Sequence, residues 1–302
     1  MRYKRVLLSY DDRVRADSTA VYFLKAFQDV LGKDNIDHVY PEQLPDLHKT
    51  LSVRGRPYDL YLKVDDGLSQ HEWNKNLHPS AYYVIDTHID YEWRRDLAER
   101  GAFDFMFFAQ RNALDMKWHT KNVSWVPLGT ELQRHHVSPQ QKKYDACFIG
   151  NFHTQHAQRR VTLCDALFRA CPSFYYGSRT FLDMAKKYAE SRLVFNCGIN
   201  GDVNMRFFEG LQSGSALLTD VLQDQEQLGF KEGVHYIGYN NEGEMLEKAR
   251  YYLRDSDKRE WIAKNGFELV SDKHQYVNRV DEILTVVNRE PEEGLICQQQ
   301  QN

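Results

Sequence analysis

The chain has 302 residues, of which 42% are apolar and 27% charged, enough for two cores of ordinary domain size beneath a soluble surface. With 39 basic and 43 acidic residues the net charge is −4, so no global field favours nucleic acid or an anionic membrane. No stretch approaches the roughly 18 apolar residues of a membrane span, and the apolar run inside the opening MRYKRVLLSYDD is too short for a signal peptide.

Strand-like and helix-like segments alternate along the chain. RVLLSY (5–10) is a short apolar run ending in polar residues. Val21, Phe23, Leu24, Phe27 and Leu31 then recur at helical spacing behind Asp17 or Ser18 as a cap. IDHVY (36–40), YDLYLKV (58–64), AYYVID (81–86), FDFMFFA (103–109) and VSWVPL (123–128) read as buried strands, the pattern of a mostly parallel sheet covered on both faces. Glu131–Lys143, polar and carrying Pro139, reads as an interdomain linker, and His135 and His136 within it read as satisfied surface or core groups.

The alternation restarts with strands ACFIGN (146–151), SFYYG (173–177), RLVFNCG (192–198), ALLT (216–219) and HYIGY (235–239). Helical segments 156–170 and 180–190 lie between them, and three closely spaced helices follow, 243–253, 256–270 and 275–287. The expected fold class is α/β, with two Rossmann-like doubly wound domains facing a cleft: residues 1–135, then 136–288, the last helix packing back on the first domain. Residues 289–302 are expected to be a disordered tail. Five cysteines (Cys147, Cys164, Cys171, Cys197, Cys297) show no CxxC or zinc spacing, and the four in or beside strand and helix patterns read as buried thiols of a reducing compartment, so the expected location is cytoplasmic.

The most informative stretch is Asn204–Asp220, NMRFFEGLQSGSALLTD: a polar loop, a short amphipathic helix, a Ser-Gly-Ser break and an apolar strand. A helix N-terminus at a cleft offers amides and a positive dipole end to a diphosphate, and a carboxylate in its first turns can accept two ribose hydroxyls. This segment resembles the nucleotide-sugar motif of GT-B glycosyltransferases, in particular the group-1-like branch that includes CgeB-type spore-maturation proteins. The resemblance extends over about Tyr144–Leu284, including the Tyr-Leu-x-Asp helix and His274, Tyr276 and Arg279 of a His-x-Tyr-x-x-Arg helix.

The resemblance implies a C-terminal donor-binding domain and an N-terminal acceptor domain. It makes Glu209 the ribose acceptor, points Arg206 at the diphosphate or the cleft, and places the Asn204 and Met205 amides near the donor sugar. Gly150 would let the backbone approach the donor, with Asn151 at the strand exit. Arg159 and Arg160 are candidates for the diphosphate, or cap solvent-facing turns. Retaining relatives carry another glutamate eight positions before the ribose glutamate. Here that position is Gly201, with Asp202 beside it as a possible substitute.

In AYYVIDTHIDYEWRR, Asp86, His88 and Asp90 follow a strand. His88, with Asp86 nearby, is the candidate base on an acceptor hydroxyl; metal ligation and structural hydrogen bonding are the alternatives. Asp11 and Asp12 are a second candidate pair, Gln110 is a weaker one, and Tyr10, Tyr91 and Trp93 are aromatics near the expected cleft. The function implied is metal-independent transfer of a sugar from a nucleoside-diphosphate sugar, with no cofactor. The acceptor is a glycan, protein, metabolite or modified nucleobase. A non-catalytic binder and a sugar-nucleotide epimerase or hydrolase are the alternatives.

Overall fold

The computed structural model describes residues 4–13, 15–47, 58–65, 72–150, 152 and 157–289. Asn151, Cys297 and the tail from residue 290 onward lie outside the described residues. Strands β1 (Val6–Ser9), β2 (Ile36–Val39), β3 (Leu60–Val64), β4 (Ser80–Val84), β5 (Phe105–Phe108) and β6 (Val123–Trp125) form a sheet of order β2-β1-β3-β4-β5-β6. Strands β7 (Tyr144–Ile149), β8 (Phe174–Gly177), β9 (Ser191–Phe195), β10 (Ala216–Asp220) and β11 (Ile237–Tyr239) form a second sheet, β11-β10-β9-β7-β8. Every neighbouring pair of strands is parallel. Central strands such as β3, β4 and β10 are buried on both faces, which is why they read as apolar runs rather than alternations.

The covering helices include α1 (Thr19–Leu31) and α2 (Tyr91–Gly101) in the first half. α3 (Leu132–His135) lies between the sheets in sequence, and α4 (Gln158–Ala170), α5 (Phe181–Ala189), α6 (Met205–Gln212) and α7 (Gln223–Gln227) follow in the second half. α8 (Glu242–Arg254), α9 (Ser256–Lys273) and α10 (Tyr276–Asn288) end the described chain. Helix α1 buries Tyr22, Phe23 and Phe27 and ends at Gly32, whose φ of +88° suits a residue without Cβ. None of the described helices is long and apolar enough to cross a membrane.

The sheet orders locate the crevices. In the first sheet β1 lies between β2 and β3, and in the second β7 lies between β8 and β9, so crossovers leave in opposite directions at β1/β3 and at β7/β9. At such switch points the strand exits stand apart, and ligands bind beyond the carboxyl ends of the strands.

The chain passes between the sheets twice at one place. Thr130 N–H donates to the His274 carbonyl and Tyr276 N–H donates to the Thr130 carbonyl, both at 3.0 Å. Gly129 permits this approach, because a Cβ there would lie 3.0 Å from the His274 oxygen. Helix α10 then packs on α1. Tyr276 stacks on Tyr22 with ring centroids 5.1 Å apart, and buried Arg279 donates to the Leu128 carbonyl at 3.2 Å. Apolar residues of β1, α1, α6 and α10 form one continuous core. The segment 131–143, read from sequence as a polar linker, contains α3 and a fully buried His135. A four-residue helix is too short to display a period.

Candidate functional site

Helix α6 starts at the exits of β7 and β9. Asn204 is its N-cap, accepting the Phe207 amide at 3.2 Å, while its own amide group reaches the Cys197 carbonyl at 3.4 Å. Among the described residues no hydrogen bond takes up the Met205 and Arg206 amides, the first N–H groups of the helix. Arg206 spans the switch point. Its Nε donates to the Ile149 carbonyl at 2.7 Å and its Nη1 to Asn196 Oδ1 at 3.3 Å, with the guanidinium 4.5 Å from the Phe148 ring centroid. A Cβ at Gly150 would collide with that guanidinium, so Gly150 makes room for Arg206.

Glu209 lies one turn further along α6. Burial pushes its carboxyl up to about 7, against the pull of Arg206. Its Oε1 is 3.6 Å from His135 Nε2. Arg159 donates to Asp220 Oδ2 at 2.8 Å and to the Cys197 sulfur at 3.0 Å, and its side chain is half exposed. Arg160 is buried and gives Nε and Nη2 to the Cys197 carbonyl at 3.2 and 3.0 Å. Both arginines therefore stand at the β9 and β10 exits and are anchored by protein oxygens.

The loop Gly198–Asn204 faces the first sheet. Asn200 and Gly201 have φ of +51° and +78°, a tight left-handed turn that Asp202 closes by accepting the Ile199 amide at 2.6 Å. Asn200 Nδ2 reaches the His88 carbonyl at 3.2 Å, and Asp202 Oδ2 lies 3.8 Å from His88 Nε2. Burial raises the Asp202 carboxyl to about 7, and the Asp86 charge adds to the rise. Asp86 is itself raised by burial, offset in part by Arg94. Its φ of +56° lets its carbonyl accept the Ile89 and Asp90 amides. The arrangement sets a histidine 3.8 Å from a carboxyl whose proton is retained by burial, where the two sheets meet.

Asp90 is largely exposed and 3.7 Å from Arg94, while His88 turns toward Asp202, so the set Asp86, His88 and Asp90 diverges. Among the described residues no group of three or more His, Cys, Asp or Glu could hold a metal ion. Asp11 is engaged by Arg13. Tyr10 is buried against His38, the Tyr91 hydroxyl donates to the Lys117 carbonyl at 2.8 Å, and Trp93 packs against the Arg94 guanidinium. The four described cysteines are buried and free.

Sequence reasoning passed over Asn196 and Asp220. Asn196 holds Arg206, and Asp220 accepts from Arg159 and from the Gly198 amide at 3.2 Å. Each is the polar residue ending an apolar strand run, the signal already used for His88. Gln110 follows the same pattern at the β5 exit, and its carboxamide is buried with neither end bonded among the described residues.

Residues 159–285 match the family model described as Glycosyl transferase-like. No curated protein matches the chain. Many solved structures share its architecture, three of which follow. HepE of Anabaena, solved with UDP and glucose, superposes with a TM-score of 0.67 over 94% of this chain and 99% of that one, at 11% identity. A glycosyltransferase of Rickettsia africae gives 0.64 over 95% and 100% at 8% identity. An α-glucosyltransferase solved with UDP and a 13-mer DNA containing an HMU base gives 0.67 over 94% and 99% at 9% identity. The chain thus has the GT-B fold, and its second half carries the sequence pattern of the Glycosyl transferase-like family.

Proposed function

We propose that the protein transfers a sugar from a nucleoside-diphosphate sugar to a hydroxyl-bearing acceptor, the donor lying on the second sheet and the acceptor on the first. The observation that carries this reading is the group at the β7/β9 switch point: free first-turn amides of α6, Arg206 across the strand exits, and part-buried Glu209 one turn on. The family match spans both Arg206 and Glu209. Helix amides and arginines would stabilise the departing diphosphate, the part a metal ion plays elsewhere, so the reaction is proposed to be metal-independent. Glu209 would accept the ribose hydroxyls, and His88 with Asp202 would take the acceptor proton. Membership of the CgeB-type branch, suggested by Asn204–Asp220, is part of this proposal, as is action in the cytoplasm.

The test is a thermal-shift screen of nucleoside-diphosphate sugars, beginning with UDP-glucose because neighbouring folds were solved with UDP, followed by donor consumption with and without an acceptor pool. Consumption only when acceptor is present supports transfer. Consumption without acceptor indicates a hydrolase or epimerase, and binding without consumption indicates a non-catalytic relative.

A further inference from the structure

His135 is fully buried in α3, and its two ring nitrogens have different neighbours. The Glu131 backbone N–H donates to Nδ1 at 3.1 Å, so Nδ1 carries a lone pair, and the Thr130 hydroxyl, 2.7 Å from the same atom, donates as well. Burial pushes the imidazole down to about 3, so the ring is neutral and its single proton sits on Nε2. That nitrogen faces two oxygens from opposite halves of the molecule: Tyr22 Oη of α1 at 3.1 Å and Glu209 Oε1 of α6 at 3.6 Å. Tyr22 is in turn stacked on Tyr276, at the return crossing between the sheets. The first sheet, the crossing segment and the second sheet therefore meet at one imidazole.

We propose that His135 is a positioning residue for Glu209, offering Nε2–H at the junction of the two sheets and so tying the orientation of the ribose-binding carboxylate to how the sheets are seated. This rests on Glu209 being the acceptor of ribose hydroxyls. His135 touches no substrate in this arrangement. Its Nε2–H is bonded to Tyr22 Oη at 3.1 Å and stands 3.6 Å from one Glu209 oxygen, just beyond hydrogen-bond length, so a carboxylate drawn closer on ligand binding would share that N–H through one oxygen and keep the other for the ligand. If the sheets rotate about the paired crossings, the Tyr22 hydroxyl and the Glu209 carboxylate move relative to the same N–H, so ligand contact and domain seating become linked.

The experiment is calorimetric titration with UDP and with 2′,3′-dideoxyuridine diphosphate, which lacks the ribose hydroxyls. His135→Asn keeps an oxygen where Nδ1 accepts but has nothing at the Nε2 position, whereas the His135→Gln amide reaches that position. Wild type is expected to prefer UDP by roughly tenfold, the scale of one charge-assisted hydrogen-bond set. His135→Asn should lose most of that preference with dideoxy affinity unchanged, and His135→Gln should restore it. A His135→Asn protein that keeps the preference overturns the positioning role and leaves the ribose reading intact. Wild type without any preference overturns the ribose reading itself, and the positioning role with it. If His135→Asn does not fold, His135→Gln decides: a folded variant without the preference overturns the proposal, and one that retains it supports it.

Discussion

His88 Nε2 lies 3.8 Å from Asp202 Oδ2, and the two side chains stand on loops that leave opposite sheets. Both are nearly shielded from water, at 3% and 7% exposure, so the contact marks where the strand exits close on each other. Asp202→Asn preserves an oxygen for the Ile199 amide and abolishes proton exchange with His88. Steady-state kinetics with UDP-glucose and an accepted acceptor should show kcat reduced by roughly 10²–10⁴ and donor affinity little changed, with His88→Ala giving a similar loss. Wild-type kcat in Asp202→Asn would remove the pair from the chemistry.

Glu209 gives a pH prediction. Its carboxyl is raised from 4.5 to about 7, chiefly by burial, so the folded state holds a proton that the unfolded chain releases. The associated stability is fully present below about pH 4.5 and is lost as pH rises through about 7. Glu209→Gln has no such titration, and its melting temperature should fall less than that of wild type across this window. Hydroxyls donate to the ionised form, so wild-type affinity for UDP-glucose should rise through the same window. The diphosphate diester does not titrate there, and calorimetry on the variant should give a flat profile. A sloping profile in Glu209→Gln would assign the titration elsewhere.

Arg206→Ala removes the donor serving the Ile149 carbonyl and Asn196 Oδ1. Urea unfolding should report a loss of about 1–3 kcal/mol, the usual consequence of stranding buried acceptors. Affinity for UDP-glucose should fall much more than affinity for uridine, since the loss beyond structure is electrostatic. Equal losses for the two ligands would make Arg206 a structural residue only.

Gly201 occupies the position where retaining relatives are expected to carry glutamate. Its φ is +78°, and nothing lies within 4 Å of an added Cβ, so the obstacle to a side chain is backbone strain rather than a clash. Gly201→Glu should therefore be destabilised by roughly 1 kcal/mol in urea unfolding, with Gly201→Ala similar. A variant as stable as wild type would show that the turn tolerates the substitution.

Turnover is expected to persist in the presence of EDTA, since on the proposed reading arginines and helix amides would supply the positive charge for the departing diphosphate. Activity lost to EDTA and restored by a divalent cation would overturn the metal-independent proposal.

Much of the architecture was legible because it is local. Parallel strands buried on both faces must be apolar runs, and RVLLSY, FDFMFFA and ALLT announced β1, β5 and β10 within a residue or two. The exits of such strands are where polar residues collect, which is why His88 could be singled out before any contact was known, whereas Arg206 and Asp202 came from the resemblance to GT-B glycosyltransferases. Which exits meet is a different matter. Asp202 approaches His88 across 114 positions of chain, so their pairing depends on how two independently formed sheets are seated. His135 makes the same point from inside a segment without periodicity. The Glu131 amide four positions away sets its tautomer, but its burial between Tyr22 and Glu209 is decided by the crossings at Thr130 and Gln275. Side-chain period encodes which face of an element is buried. Contacts between elements distant in sequence carry no period, and only the packed tertiary structure decided them.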